Sequence, residues 1–232
     1  MAMKYLVLDT ETAGTIDKPR VYDLAWTVTD RNGATYAERR FIIRETWENA
    51  GLMGNSYYAD KIPTEYQPLI DAGKLRVVPL QTARLQMLYD MTAYGITSVY
   101  AFNADFDRKA LDHTIKVLSN GYVGSFLPES VEWRCIMGYA QDIVACTKDY
   151  VTWCIQHGYI SEAGNPRGSA EILYRYISRD TGFVESHTAL EDVRIESEIM
   201  YYAMKHHGRK RGTWRCGSRW RKMRAIKDAI KN

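Results

Sequence analysis

Three short segments place acids where a folded chain has no structural use for them. The first is Asp9-Thr10-Glu11-Thr12, at the end of the apolar run Lys4 to Asp9. Side chains at i and i+2 share one face of a strand, so Asp9 and Glu11 project together. Carboxylates that close repel and raise each other's pKa unless a cation lies between them. Taken alone, the segment also reads as a strand running out into a polar turn, with Thr12 and Gly14 as turn formers. The second is Asn103-Ala104-Asp105-Phe106-Asp107. Asn103 suits the N-cap of a following helix, and two aspartates in a first turn complement its dipole. Helical periodicity separates them. Positions 105, 109, 112 and 116 are Asp, Lys, Asp and Lys, a solvated face, whereas 107, 111, 115 and 118 are Asp, Leu, Ile and Leu. Asp107 heads an apolar stripe, points inward and needs a partner. The third is His187-Thr188-Ala189-Leu190-Glu191-Asp192. Thr188 and Glu191 have capping-box spacing, which explains Glu191 and leaves Asp192 without a structural task. His187 then lies in the loop before the helix, free to turn toward a cleft.

The elements that position these residues follow from patterning. Lys4 to Asp9 is expected as a strand buried on both faces. Val21 to Asp30 and Ala34 to Ile43 read as strands joined through Arg-Asn-Gly, a hairpin turn signal. Glu45 to Leu80 is Gly-rich and Tyr-rich, with a short helix expected after Pro63. Pro79 to Tyr94 is helical in period, opened by Pro and closed by Gly95. Ser98 to Phe102 is strand-like; Ala104–Leu118, Lys148–His157, Ser169–Ile177 and Ala189–Met204 read as helices. Strands first and then strands alternating with helices predict an α/β chain with a mixed sheet flanked by helices.

Composition excludes several classes. Hydrophobic residues make up 46% and charged residues 25%, ordinary for a globular chain. No run reaches the roughly 18 apolar residues of a membrane span, and the N-terminal residues lack a signal-peptide pattern, so a soluble cytoplasmic protein is expected. Cys135, Cys146, Cys154 and Cys216 show no zinc-ribbon spacing and read as reduced thiols. The net charge of +3 hides an asymmetry: Arg209 to Lys227 holds nine Lys/Arg and no acid, leaving 22 basic against 28 acidic residues elsewhere. An acidic body suits cations, and a basic tail suits a polyanion.

In order and internal spacing, the segments DTET, NAxFD and HxAxxD resemble the three motifs of DEDDh-type 3′→5′ exonucleases. That family includes the proofreading subunit or domain of replicative DNA polymerases and RNase T. The resemblance spans roughly Met3 to Met204, and the stretch RGSAEILYRYISRDTGFVESHTALED extends it beyond the motifs. Phe102 departs from the pattern, standing where many members have His. The resemblance implies an RNase H-like fold, a mixed five-stranded sheet with helices on both faces and the acids at one edge of the central strand. It implies that Asp9, Glu11, Asp107 and Asp192 bind two divalent ions, Mg²⁺ or Mn²⁺, and that His187 is the general base. It also implies release of nucleoside 5′-monophosphates from a single-stranded 3′ end, DNA before RNA, and admits a polymerase or other replication protein as partner. Residues beside the first and second motifs, Thr10, Thr12, Ile16 and Asn103, become candidate nucleic-acid contacts.

Residues 1–204 are thus expected to form the exonuclease domain, and 205–232 a basic, partly helical tail. Arg209, Lys210, Arg211, Trp214, Arg215, Trp220 and Arg221 interleave cations with aromatic rings, as sequence-neutral single-strand binders do. From Trp220 onward Met223, Ile226 and Ile230 share one helix side, which also suits a helix packed on the acidic body, or a partner-protein or membrane-surface helix. Tyr57, Tyr58 and Tyr66 either line a cleft or, the preferred reading, pack in the core. Two rivals remain: an RNA-trimming exonuclease, and a non-catalytic binding module, whose expected signature is loss of one of the acids.

Overall fold

A computed structural model describes residues 3–208 and 212–231. Strands β1 (Lys4–Thr15), β2 (Lys18–Asp30) and β3 (Thr35–Ile43) form an antiparallel meander. Short helices α1 (Arg44–Trp47) and α2 (Ala50–Met53), a π-helical turn (Ile62–Tyr66) and α3 (Gln67–Asp71) lead to β4 (Arg76–Val78). There follow α4 (Leu80–Tyr94), β5 (Ser98–Ala101), α5 (Ala104–Leu118) and β6 (Glu132–Cys135). The rest is helical: α6 (Ile136–Ala140), a second π-helical turn (Gln141–Ala145), α7 (Lys148–Gln156), α8 (Ala170–Ser178), α9 (Ala189–His206) and α10 (Trp220–Lys231). The sheet order is β4-β3-β2-β1-β5-β6, with β4, β5 and β6 each parallel to its inner neighbour. This is the expected mixed α/β sheet, carrying a sixth strand, three-residue β4, outside the meander.

Alternation along β1 divides the core. Leu6 and Leu8 pack with Met87 of α4 and Leu111 of α5, while Tyr5 and Val7 pack with Val193 and Met200 of α9. Helices therefore cover both faces, which is why β1 reads as a continuous apolar run. β1 does not stop at Asp9. Its backbone stays paired with β2 to Thr15, through a register shift between Glu11 and Thr12. Ladder bonding, not side-chain hydrophobicity, carries the strand past its acids. Gly14 takes φ +88° in the returning ribbon, where a Cβ would stand 2.9 Å from the Lys18 carbonyl oxygen.

Two predicted caps form differently. Asn103 precedes α5 but lies in the left-handed region at φ 70°, and its side chain makes no capping bond; its carbonyl accepts the Phe106 N–H at 2.8 Å. Asn tolerates that conformation, which re-aims its side chain away from the first turn. Thr188 does precede α9, yet the capping box is absent: Thr188 Oγ1 pairs with Ser186 Oγ at 3.2 Å, and Glu191 pairs with Arg194.

The C-terminal segment packs on the body. The Trp214 ring stacks on Tyr139 at 3.9 Å and 4°, and meets Tyr100 edge-on at 5.1 Å. The Trp214 carbonyl accepts the Cys135 N–H at 2.8 Å, at the end of β6. Arg219 and Lys222 converge on Asp142 at 3.0 and 3.1 Å. Burial pushes the Asp142 carboxyl up, but hydrogen bonds from Arg219, Lys222 and Thr213 outweigh it and hold it at about 2. Met223 is buried against α7, and the Lys227 ammonium reaches the Gly164 carbonyl. None of the four cysteines forms a disulfide, and no helix among the described residues is long and apolar enough to cross a membrane.

Candidate active site

Three elements deliver acids to one place. Asp9 and Glu11 leave the same face of β1, and Asp192 comes from the first turn of α9, which packs on that face. One carboxylate oxygen from each of the three lies within 4.8 Å of the others. Asp107, from the first turn of α5, is buried and accepts a hydrogen bond from Thr10 Oγ1 at 2.8 Å. Its charge also acts on Asp9. Asp105, two residues away, is exposed, as the helix-face argument required.

The electrostatics are those of crowded anions out of water. Burial, then Glu196, Asp107, Glu11 and Asp192, raise Asp9 well above the usual carboxylate range. Burial and Asp192 push Glu11 up to about 9. Burial lifts Asp107 to about 7 against the Thr10 hydrogen bond, and burial with Glu185 lifts Asp192 to about 8. Asp192 Oδ1 is buried without a hydrogen-bond partner. A buried orphan oxygen on one of these clustered acids costs free energy that a hard divalent cation would recover.

His187 does turn toward this cluster. A ring nitrogen lies within 4.8 Å of oxygens from both Glu185 and Asp192, with Nδ1 3.8 Å from Glu185 Oε2. Burial and the Lys61 ammonium lower its pKa.

The structure adds residues that the sequence reading left out. Glu196, one turn beyond Asp192 on α9, is buried and accepts the Phe102 N–H at 3.3 Å. Burial, Asp107 and Asp192 push it well above the usual range. Its i+4 spacing from Asp192, within the stripe Ala189, Asp192, Val193, Glu196, Met200, was a readable signal. Asp23 is fully buried opposite Glu11 in the sheet, paired with Arg40 at 2.7 Å and with the Tyr66 hydroxyl at 3.1 Å. Lys61, Tyr58 and Glu185 surround His187 from segments with no periodicity to read.

The candidate nucleic-acid contacts divide. Thr10 is buried, with its hydroxyl committed to Asp107. Thr12 is half-buried, while Asn103 and Ile16 are exposed. The proposed stacking face of Trp214 is covered by Tyr139, because burying an indole against an aromatic wall outweighs leaving it in water. Arg215, Trp220 and Arg221 are exposed, with the Arg221 guanidinium 5.1 Å over the Trp220 ring. Arg209, Lys210 and Arg211 lie outside the described residues. Of the tyrosines, Tyr66 is core, Tyr58 stacks on His187, and Tyr57 is exposed.

No family model matches the chain, and no curated protein matches it in sequence. Solved structures do. Over 89% of this chain and 42% of theirs, the coordinates resemble E. coli exonuclease I in complex with a dA16 oligonucleotide, at TM-score 0.59 and 14% identity. A full-length 3′-exonuclease matches over 88% of this chain and 82% of its own, at TM-score 0.58 and 11% identity. Cell-death related nuclease 4 matches over 87% and 64%, at TM-score 0.55 and 11% identity. The chain therefore spans about two fifths of the length of exonuclease I. What these likenesses establish is the architecture: the chain has the RNase H-like α/β fold on which these nucleases are built.

Proposed function

We propose that this chain is a metal-dependent 3′→5′ exonuclease of the DEDDh type, releasing nucleoside 5′-monophosphates from single-stranded DNA ends. The observation that carries the reading is the meeting of Asp9, Glu11 and Asp192 oxygens within 4.8 Å, with the buried Asp192 Oδ1 unpartnered. An all-oxygen set of this kind fits Mg²⁺ or Mn²⁺, and no cysteine lies in it. Asp9, Glu11, Asp107 and Asp192 would hold two such ions, which supply stabilisation of the attacking and leaving oxygens in an in-line displacement. The presence of all four acids and His187 favours catalysis over a binding module on the same fold.

The chain's own residues then have distinct tasks. His187, kept neutral by burial and Lys61, takes the proton of the attacking water. Its Nδ1 lies 3.8 Å from Glu185 Oε2, a carboxyl placed to receive the charge of the imidazolium. Thr10 fixes the rotamer of Asp107. Glu196 ties α9 to the backbone at Phe102, so the acids from α5 and α9 keep their spacing. Exposed Ile16, Asn103, Arg215, Trp220 and Arg221 are the candidate contacts that the fold leaves accessible to nucleic acid. The test is digestion of 5′-labelled single-stranded DNA and RNA oligomers of one sequence, side by side with Mg²⁺ or Mn²⁺. A ladder shortening from the 3′ end, faster on DNA and absent in chelator, is expected. Faster RNA trimming would reassign the substrate, and full activity in excess chelator would remove the metals.

A further inference from the structure

His187 is held from one side by a segment that carries none of the motifs. Residues 54–60 form successive turns after α2, and Lys61 directly precedes the first π-helical turn. The Tyr58 ring lies over the His187 imidazole at 4.8 Å between centroids and 14° between planes. Three residues on, the Lys61 ammonium donates to the backbone carbonyls of Ser186 and, at 3.3 Å, His187 itself. Lys61 also stands 4.7 Å over the Tyr58 ring, and Tyr57 abuts Tyr58 edge-on at 4.8 Å. His187 has φ +49°, a left-handed conformation that a β-carbon disfavours, so something outside the local chain must keep it there.

We propose that Tyr58 and Lys61 are positioning residues for His187. The ring sets the plane of the imidazole, and the ammonium clamps the two carbonyls that precede and share its backbone unit. Together they hold the loop before α9 so that the imidazole stays beside Asp192. Side-chain stacking and backbone clamping constrain different degrees of freedom, ring rotation and loop placement, and both come from one short segment. A tyrosine that merely filled space would need no coplanar arrangement, and a merely solvated lysine would not bond two consecutive carbonyls. The catalytic consequence rests on the exonuclease reading, in which His187 is the base; the placement itself does not.

The experiment has two arms. In the first, the His187 ring-proton resonances are assigned by their loss in His187→Gln and compared in native protein, Tyr58→Leu and Tyr58→Phe. A stacked ring shifts those protons upfield. Tyr58→Leu is expected to abolish the shift and Tyr58→Phe to keep it. In the second arm, Tyr58→Leu and Lys61→Met are expected to lower kcat by about 10- to 100-fold, with KM for a single-stranded oligomer within about twofold. Tyr58→Phe restores kcat, and adding Tyr58→Leu to His187→Ala costs nothing further, because both act through one group. A His187 resonance that does not move in folded Tyr58→Leu overturns the placement, whether or not the chain is a nuclease. A raised KM at constant kcat, or additive losses in the double variant, overturns the positioning role in favour of direct substrate contact. A normal ring shift in a protein that cleaves neither DNA nor RNA refutes the exonuclease reading and upholds the placement.

Discussion

Two aspartates separated by one residue make the clearest test at the scale of single side chains. Asp105 is exposed and Asp107 buried, because a helix turns about 100° per residue and places them on different faces. Asp107→Asn should reduce nuclease turnover by several orders of magnitude, whereas Asp105→Asn should be nearly silent; steady-state rates on one oligomer separate them. Asp192→Asn should match Asp107→Asn while circular dichroism stays native. For His187→Ala the expected loss is roughly 10²–10⁴ in kcat, shrinking as pH rises because hydroxide then replaces the missing base. A defect of constant size across pH would show that His187 positions substrate instead. Asp107 was legible because its neighbours at 111, 115 and 118 are apolar. Asp192 was reached through a capping box that the chain does not form, although Glu191 does face solvent and Asp192 does face inward. The inference survives because the same periodicity that would have permitted the cap also sets the buried face.

At the scale of elements, β1 and α9 press their acids together, and the cost must appear in stability. Folded pKa values near 7 for Asp107, 8 for Asp192 and 9 for Glu11 lie above those of the unfolded chain. The folded state then holds more protons than the unfolded one between the two sets of values, so stability falls as pH rises through that interval. The contribution is fully present below about pH 4 and lost by about pH 9. Melting temperature of chelated protein should therefore decline from pH 6 to 9. Saturating Mg²⁺ or Mn²⁺ should raise it and flatten the slope, since a bound cation favours the ionised acids. An equal melting temperature across that range, with and without metal, would contradict the crowded-anion account. Thr10→Val probes the same junction: it deletes the bond to Asp107. A loss of about 1–3 kcal/mol by denaturant unfolding is expected, together with weaker metal affinity by calorimetry.

For the molecule as a whole, the question is what the C-terminal cations are for. Arg219 and Lys222 both pair with Asp142, Met223 fills the core beside α7, and Trp214 is stacked on Tyr139. Small residues permit the close approach: a Cβ at Gly138 would collide with the Arg215 carbonyl, and one at Gly212 with the Tyr139 ring. Deleting residues 209–232 is expected to lower the melting temperature by several degrees, at about 2–4 °C per kcal/mol lost. Met223→Ala alone should account for about 2–4 kcal/mol. Arg219→Ala should destabilise without altering the salt dependence of single-strand binding. Removing a cation that touches phosphate should flatten that dependence by roughly 0.7, and exposed Arg221 is the candidate to test. An unchanged melting point in the truncated protein would show that the packing contributes nothing.

Local order along the chain was enough to determine the α/β class, the hairpin of β2 and β3, the long helices α4, α5 and α9, and the inward face of Asp107. Each of those rests on periodicity or on residue types at short spacing, which the backbone geometry converts directly into a face. Tertiary structure alone decided the rest. Strands β4 and β6 are three and four residues long, too short to show alternation, and exist because a neighbouring strand edge pairs them. Tyr58, Lys61 and Glu185 reach His187 across long sequence separations through turns without period, and Asp23 is buried because β2 is covered on both faces. The tail's aromatic and basic pattern points first to a polyanion and second to the acidic body. Proximity of Tyr139 and Asp142, set by the packing of α6 and the turn after it, settled where Trp214 and Arg219 go.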